Sequence, residues 1–214
     1  MRRSNVRSRS ERVRVLLATR SADKVRELRP LFAKGGIDVV DLAEANLAET
    51  VVESEIENAT TFEENALAKA LYFHRISGLP TVADDSGIEV VALGGAPGVH
   101  SKRWGARPDL SGRALDDANN ALLLQRLERS IDRRARYVCA AAYCDAEWQF
   151  VERGEVLGGI TRVRRGDAGF GYDPYFESAE LGRTFGEITM EEKARVSHRA
   201  RAFTKLLLRM TSIR

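Results

Sequence analysis

The sequence predicts an α/β protein: one domain built on a mixed, largely buried sheet. Three observations carry this reading. Short β-branched runs interleave with helix-length segments, Ser and Thr caps mark the helix starts, and 214 residues suffice for one sizeable core. A hydrophobic share of 43% with 30% charged residues fits an ordinary globular chain, and no apolar stretch reaches the ~20 residues of a membrane helix.

Residues 1–12 are expected to form a disordered basic tail, and 13–214 the domain. Residues 1–14 hold six arginines against Glu11, a balance of +5, which leaves about −2 for the rest of a chain whose net charge is +3. The body is therefore not basic, which argues against nucleic acid as a partner. The tail lacks an apolar h-region, so it is no secretory signal.

Residues 13–19 read as a buried first strand. Ser21 then caps a helix to about Lys34, with Asp23 in its first turn and Gly35-Gly36 stopping it. A second strand covers 37–42, and the acidic stretch 43–60 reads as a loop or edge. Thr61-Phe62-Glu63-Glu64 forms a capping box that opens a helix to about Ser77. A strand over 79–84 is expected to end at Asp84-Asp85-Ser86-Gly87, followed by another strand over 88–93. A helix over 111–130 comes next, then a hairpin of 136–144 with 148–157, a glycine-rich loop over 166–172, a short helix near 190–196 and a last helix from Ser197 to about Met210. Cys139 and Cys144, an odd number of residues apart on one strand, point to opposite faces, so free thiols in a reducing cytoplasm are expected.

Five constellations can carry chemistry. Thr19 to Lys24 joins a strand to a helix start, where backbone N–H groups and an ammonium suit a phosphate, although a plain strand–helix junction reads the same way. Phe62, Asn65, Lys69 and Tyr72 fall on one helical stripe, either lining a cleft or forming a half-exposed face. Asp84 and Asp85, with Glu57 upstream, are expected to converge as oxygen ligands for Mg²⁺, the bland alternative being a turn. Gly169 to Tyr175 lets backbone approach a flat ligand on which Phe170 could stack. Lys193 and Ser197-His198-Arg199 set a cation and a helix start side by side.

Taken together these segments resemble the inosine triphosphate pyrophosphatase family, the Ham1-like or RdgB-like dITP/XTP pyrophosphatases. The likeness rests on Leu17-Ala18-Thr19 with Lys24 and Glu27, residues 61–70, Ala83 to Gly87, Ala92 to Val99 with Ser101 and Arg103, Gly169 to Pro174, and Glu192-Lys193 with Ser197 to Arg199. It spans about residues 13–210. The resemblance implies an elongated mixed sheet flanked by helices, two lobes around a central substrate cleft, a homodimer in the cytoplasm, and Mg²⁺-dependent hydrolysis of ITP, dITP, XTP and dXTP to the monophosphate and pyrophosphate.

Carried onto this chain, the resemblance implies that Asp85 is the proton acceptor and a metal ligand, and that Glu57 is a second ligand. Thr19, Arg20, Ser21, Ala22, Asp23, Lys24, Lys69, Ser86 and Lys193 would hold the triphosphate. Phe170, Gly171, Tyr172, Asp173, His198 and Arg199 would hold the base. The chain departs from the family pattern at Ser21, usually Asn, and at Ala59, usually Gly. Two other readings compete: the Maf-like nucleotide pyrophosphatases, and a nucleic-acid-binding module using the tail with Trp104, Phe170 and Tyr172.

Overall fold

The computed structural model describes residues 14–213. The tail expected over 1–12 lies outside them. Six strands form one sheet in the order β2-β1-β3-β4-β5-β6. They are β1 (Arg14–Leu17), β2 (Asp38–Asp41), β3 (Thr81–Val90), β4 (Arg134–Cys144), β5 (Gln149–Ile160) and β6 (Phe176–Ser178). β1 is parallel to β2 and β3, and the remaining pairs are antiparallel, so the sheet is mixed as expected.

Helix α1 (Ala22–Lys34) is capped by Ser21, whose hydroxyl accepts the Lys24 N–H at 3.3 Å. A short α2 (Glu53–Ile56) lies in the acidic stretch. Helix α3 (Phe62–Ser77) starts at Thr61, whose hydroxyl accepts the Glu64 N–H. The expected capping box is only half formed, because the Glu64 carboxylate accepts from the Thr61 hydroxyl instead. Helix α4 (Gly112–Arg126) ends earlier than the sequence suggests, while α5 (Met190–Val196) and α6 (His198–Ser212), with Ser197 as the α6 N-cap, fall where expected.

Alternation along the strands sorts the core onto two faces. Val82, Cys139 and Ala141 pack with Leu28 and Phe32 of α1 and Phe203 and Leu206 of α6. Ala83, Ala140 and Ala142 pack with Phe62, Ala66 and Phe73 of α3. Cys139 and Cys144 belong to different faces, and both are free and buried. No helix among the described residues is long and apolar enough to cross a membrane.

One expectation fails. The strand does not end at Asp84; β3 runs through both acids and Gly87 to Val90, and only then gives a 3-10 turn over Val91–Leu93. The cause is long-range: β4 pairs with all ten β3 residues, from Thr81↔Cys144 to Val90↔Ala135. On its other side β3 has β1 only as far as Val82, because β1 leaves the sheet after Leu17. Beyond that point no strand pairs this edge of β3 until the 96–101 segment covers Ile88 to Val90, and the gap lies where the parallel order switches direction. Crevices of α/β sheets form at such points.

Candidate active site

That crevice is a cleft of about 960 Å³. One wall comes from the β1–α1 turn, Glu57, Lys69 of α3, and Asp85 and Ser86 of β3. Phe170 to Asp173, Lys193 and the α6 start line the cleft as well. Every residue to which the resemblance assigns a role lines this one cleft; of the other candidates, Asp84, Phe62, Asn65 and Tyr72 do not.

The two adjacent acids do not share a ligand site. Asp84 faces α1 and α6, where Lys24 Nζ sits 2.9 Å from its Oδ2 and Arg199 Nε 3.4 Å away. Burial pushes the Asp84 carboxyl up, but Lys24 and Arg199 more than offset that and hold it well below the usual carboxylate range. Asp85 faces α3 and the cleft. It accepts from Asn65 Nδ2 at 3.0 Å and from the Ser86 N–H at 2.9 Å, and it makes no salt bridge among the described residues. Burial raises its pKa, against the pull of Lys24 and Lys69. Strand alternation thus turns the neighbouring carboxylates to opposite faces of β3, with Asp84 taken up by Lys24 and Arg199, and it corrects the expectation that all three acids serve as metal ligands.

Glu57 is paired to Lys69. Burial opposes ionisation of Glu57, but Lys69 holds its carboxyl below the usual range. Arg103 donates to the Glu57 carbonyl at 3.2 Å, which fixes the main chain there. No group of three His, Cys, Asp or Glu side chains among the described residues could hold a metal alone. A carboxylate that makes no salt bridge and feels a second carboxylate, Glu57, does fit a hard ion that keeps water and substrate oxygens as its other ligands, as Mg²⁺ does.

At the β1–α1 turn, Thr19 Oγ1 accepts the Ser21 N–H at 3.2 Å. Arg20 reaches over to Glu53 and to the Leu47 carbonyl, so its guanidinium latches the acidic stretch to the turn. Asp23 pairs with Arg26, and Ala22 opens α1. Of the two departures, Ser21 serves as the helix cap. Ala59 has its N–H and carbonyl both held by Asn65, at 2.8 and 3.4 Å.

Elsewhere in the cleft, Lys193 Nζ lies 4.7 Å from the centre of the Phe170 ring and pairs with Asp173 and Glu27. Glu27 also binds Arg199, whose Nη2 donates to Ser86 Oγ at 2.9 Å. Burial opposes ionisation of Glu27, but Arg199 and Lys193 hold its carboxyl low. Removing one partner of such a buried pair costs about 3–5 kcal/mol, so the network fixes the geometry even where its net contribution to stability is small. His198 stacks on Tyr137 with ring centroids 4.4 Å apart and planes 6° apart. Burial, with Arg199 and Lys193 nearby, pushes its imidazole well below the usual value, leaving it neutral. Tyr172 is buried and donates its hydroxyl to the Ser101 carbonyl at 2.8 Å.

Glu27 carries no assigned role in the sequence reading, and Tyr137 and Asp116 are not singled out there. Glu27 looks like one acid on a solvated helix face until the C-terminal cations arrive against it. Tyr137 reads as core.

The Ham1 family model matches residues 15–208. The dITP/XTP pyrophosphatase of Bordetella parapertussis is 45% identical over 197 residues, covering 91% of this chain and 89% of that protein. A dITP/XTP pyrophosphatase of Thermus thermophilus is also 45% identical, over 91% of this chain and 90% of that one. Among solved structures, a HAM1 protein from Coxiella burnetii superposes with a TM-score of 0.81 at 31% identity, covering 94% of this chain and 99% of its own. The nucleoside-triphosphatase / dITP/XTP pyrophosphatase from Mycobacterium abscessus gives 0.69 at 39% identity, with 90% and 97% covered.

Proposed function

The chain belongs to the Ham1 family, and from that premise we infer that it is a nucleoside triphosphate pyrophosphatase. It hydrolyses non-standard purine nucleoside triphosphates (ITP, dITP, XTP and dXTP) to the monophosphate and pyrophosphate, which clears them from the nucleotide pool. The observation that best supports a working site is the buried Asp85 carboxylate, which faces the cleft in the field of Lys24 and Lys69 without a salt bridge to either.

In this reading Lys24 and Lys69, with the N–H groups at the α1 start, hold the triphosphate. Asp85 accepts a proton from the attacking water as its oxygen bonds to the α-phosphorus. The bond from that phosphorus to the bridging oxygen breaks, and pyrophosphate leaves with the electron pair. Lys24 and Lys69 meet the charge that develops on it. Asp85 and Glu57 would hold Mg²⁺, which when bound supplies positive charge to the phosphate oxygens. Phe170 stacks on the base. Lys193, which the resemblance assigns to the triphosphate, lies over that ring and in this reading serves the base end of the cleft instead; burial works against its charge, but Asp173 and Glu27 keep it cationic.

We further propose a cytoplasmic homodimer, which light scattering of the purified chain tests. Pyrophosphate release from a nucleotide panel tests the activity. Turnover of dITP and XTP with little turnover of dATP and dGTP supports it, and equal turnover of all four refutes it.

A further inference from the structure

Helix α4 lies outside every motif that carries the family likeness, yet it grips the loop bearing Phe170. Asp116 Oδ2 accepts the Gly171 N–H at 2.8 Å, and Asn120 Nδ2 donates to the Gly171 carbonyl at 2.9 Å. Both main-chain groups of one residue, itself at φ +62°, are thus held by side chains one helical turn apart. Asn120 Nδ2 also donates to the Asp116 carbonyl at 2.9 Å, which joins the two holders. Asn120 is only 3% exposed, so these bonds form away from competing water. Phe170, next in sequence, gives its own N–H to Asp173 Oδ2 at 2.9 Å, and its ring faces Lys193 and Arg199. The main chain that carries the ring is thus fixed on both sides, by the Phe170 N–H and by the clamped Gly171 peptide.

We propose that Asp116 and Asn120 are positioning residues that fix the Gly171 peptide, set the pose of Phe170 and thereby determine how tightly the purine ring is held. The proposal rests on the pyrophosphatase reading above. It separates the two ends of the substrate, because neither side chain bonds to Lys24, Lys69, Glu57 or Asp85. Tripolyphosphate, which carries the phosphates without a base, reports on the other end alone.

The test uses the full chain, with KM and kcat for dITP and the competitive Ki of tripolyphosphate. Without the clamp the Phe170 loop must be ordered when the nucleotide binds, at about 0.5–1.5 kcal/mol per side chain, so D116A and N120A should each raise KM by up to about tenfold. Their kcat and tripolyphosphate Ki should stay within about threefold of the wild type, since the lost bonds serve the base end. D116N keeps an acceptor oxygen while removing the charge, and should stay close to wild type. D116A/N120A should fall well short of the product of the single effects, because both act through Gly171.

Unchanged KM in both alanine variants overturns the proposal. So does a Ki that rises in step with KM, which is the signature of general disorder, or D116N as impaired as D116A. If N120A fails to fold, the comparison of D116A with D116N decides alone. A wild-type protein that does not turn over dITP overturns the functional reading itself, whereas normal wild-type turnover with unshifted variants overturns only the clamp.

Discussion

Asn65 ties the two halves of the acidic site together: its Nδ2 lies 3.0 Å from Asp85 Oδ2, and its Oδ1 accepts the Ala59 N–H at 2.8 Å. A single side chain, 1% exposed, therefore sets the main chain just after Glu57 against the strand that carries Asp85. The two carboxylates are far apart in sequence. Their relative position depends on this buried amide and on the Lys69–Glu57 pair.

Asp85→Asn keeps the shape and the acceptor for Asn65 but cannot take a proton. Loss of a general base typically costs about 10²–10⁴-fold, so kcat for dITP should fall by at least about 100-fold while KM moves little. Steady-state pyrophosphate release measures both. A kcat within about threefold of wild type would remove Asp85 from the role of proton acceptor.

Chelation with EDTA should abolish turnover, and Mg²⁺ but not Na⁺ should restore it. Glu57→Gln should weaken the apparent Mg²⁺ affinity by at least about tenfold, read from activity against Mg²⁺ concentration. The variant also releases Lys69 from its partner, so KM for dITP should not rise with it. Unchanged Mg²⁺ dependence would show that Glu57 serves only to hold Lys69.

Much of this site was legible in the sequence because its parts are local. Ser21, Thr61 and Ser197 each announce a helix start within three residues of the N–H they accept. What escaped depends on contacts from far along the chain. Asp84 to Gly87 has the composition of a turn, and only the β4 ladder holds it extended. β6, at three residues, is too short to give a periodic signal. Asp116 and Asn120 look like the wet face of a helix, since the Gly171 peptide that occupies them lies 51–55 residues away.

Base choice should follow donor direction. The Ala200 N–H is taken by the Ser197 hydroxyl at 3.1 Å, whereas His198 and Arg199 occupy the first helical positions, whose N–H groups have no partner within the helix. Those donors suit a 6-keto oxygen and oppose a 6-amino group. An unpaired buried donor costs about 1–3 kcal/mol, so kcat/KM for dITP should exceed that for dATP by about 5- to 150-fold per mismatched group. Comparable values for the two nucleotides would refute this account of selectivity.

The His198 ring makes stability depend on pH in a window of its own. It is 3% exposed, and burial together with Arg199 and Lys193 keeps its folded pKa well below the ordinary imidazole value of 6.5. Below that pH the unfolded chain binds a proton that the native state refuses, so stability falls as pH drops, by up to about 1.4 kcal/mol per unit. Glu27 and Asp84, whose folded pKa values are depressed from 4.5 and 3.8, lose their contribution only at lower pH still. His198→Phe keeps a flat ring against Tyr137 and removes the titration. Urea unfolding of both proteins should give a free-energy difference that is constant from about pH 8 to 7. Between about pH 6 and 5 the wild type should lose about 1 kcal/mol more than the variant. Parallel profiles across that range would mean that His198 takes up its proton in the folded state as readily as in the unfolded one.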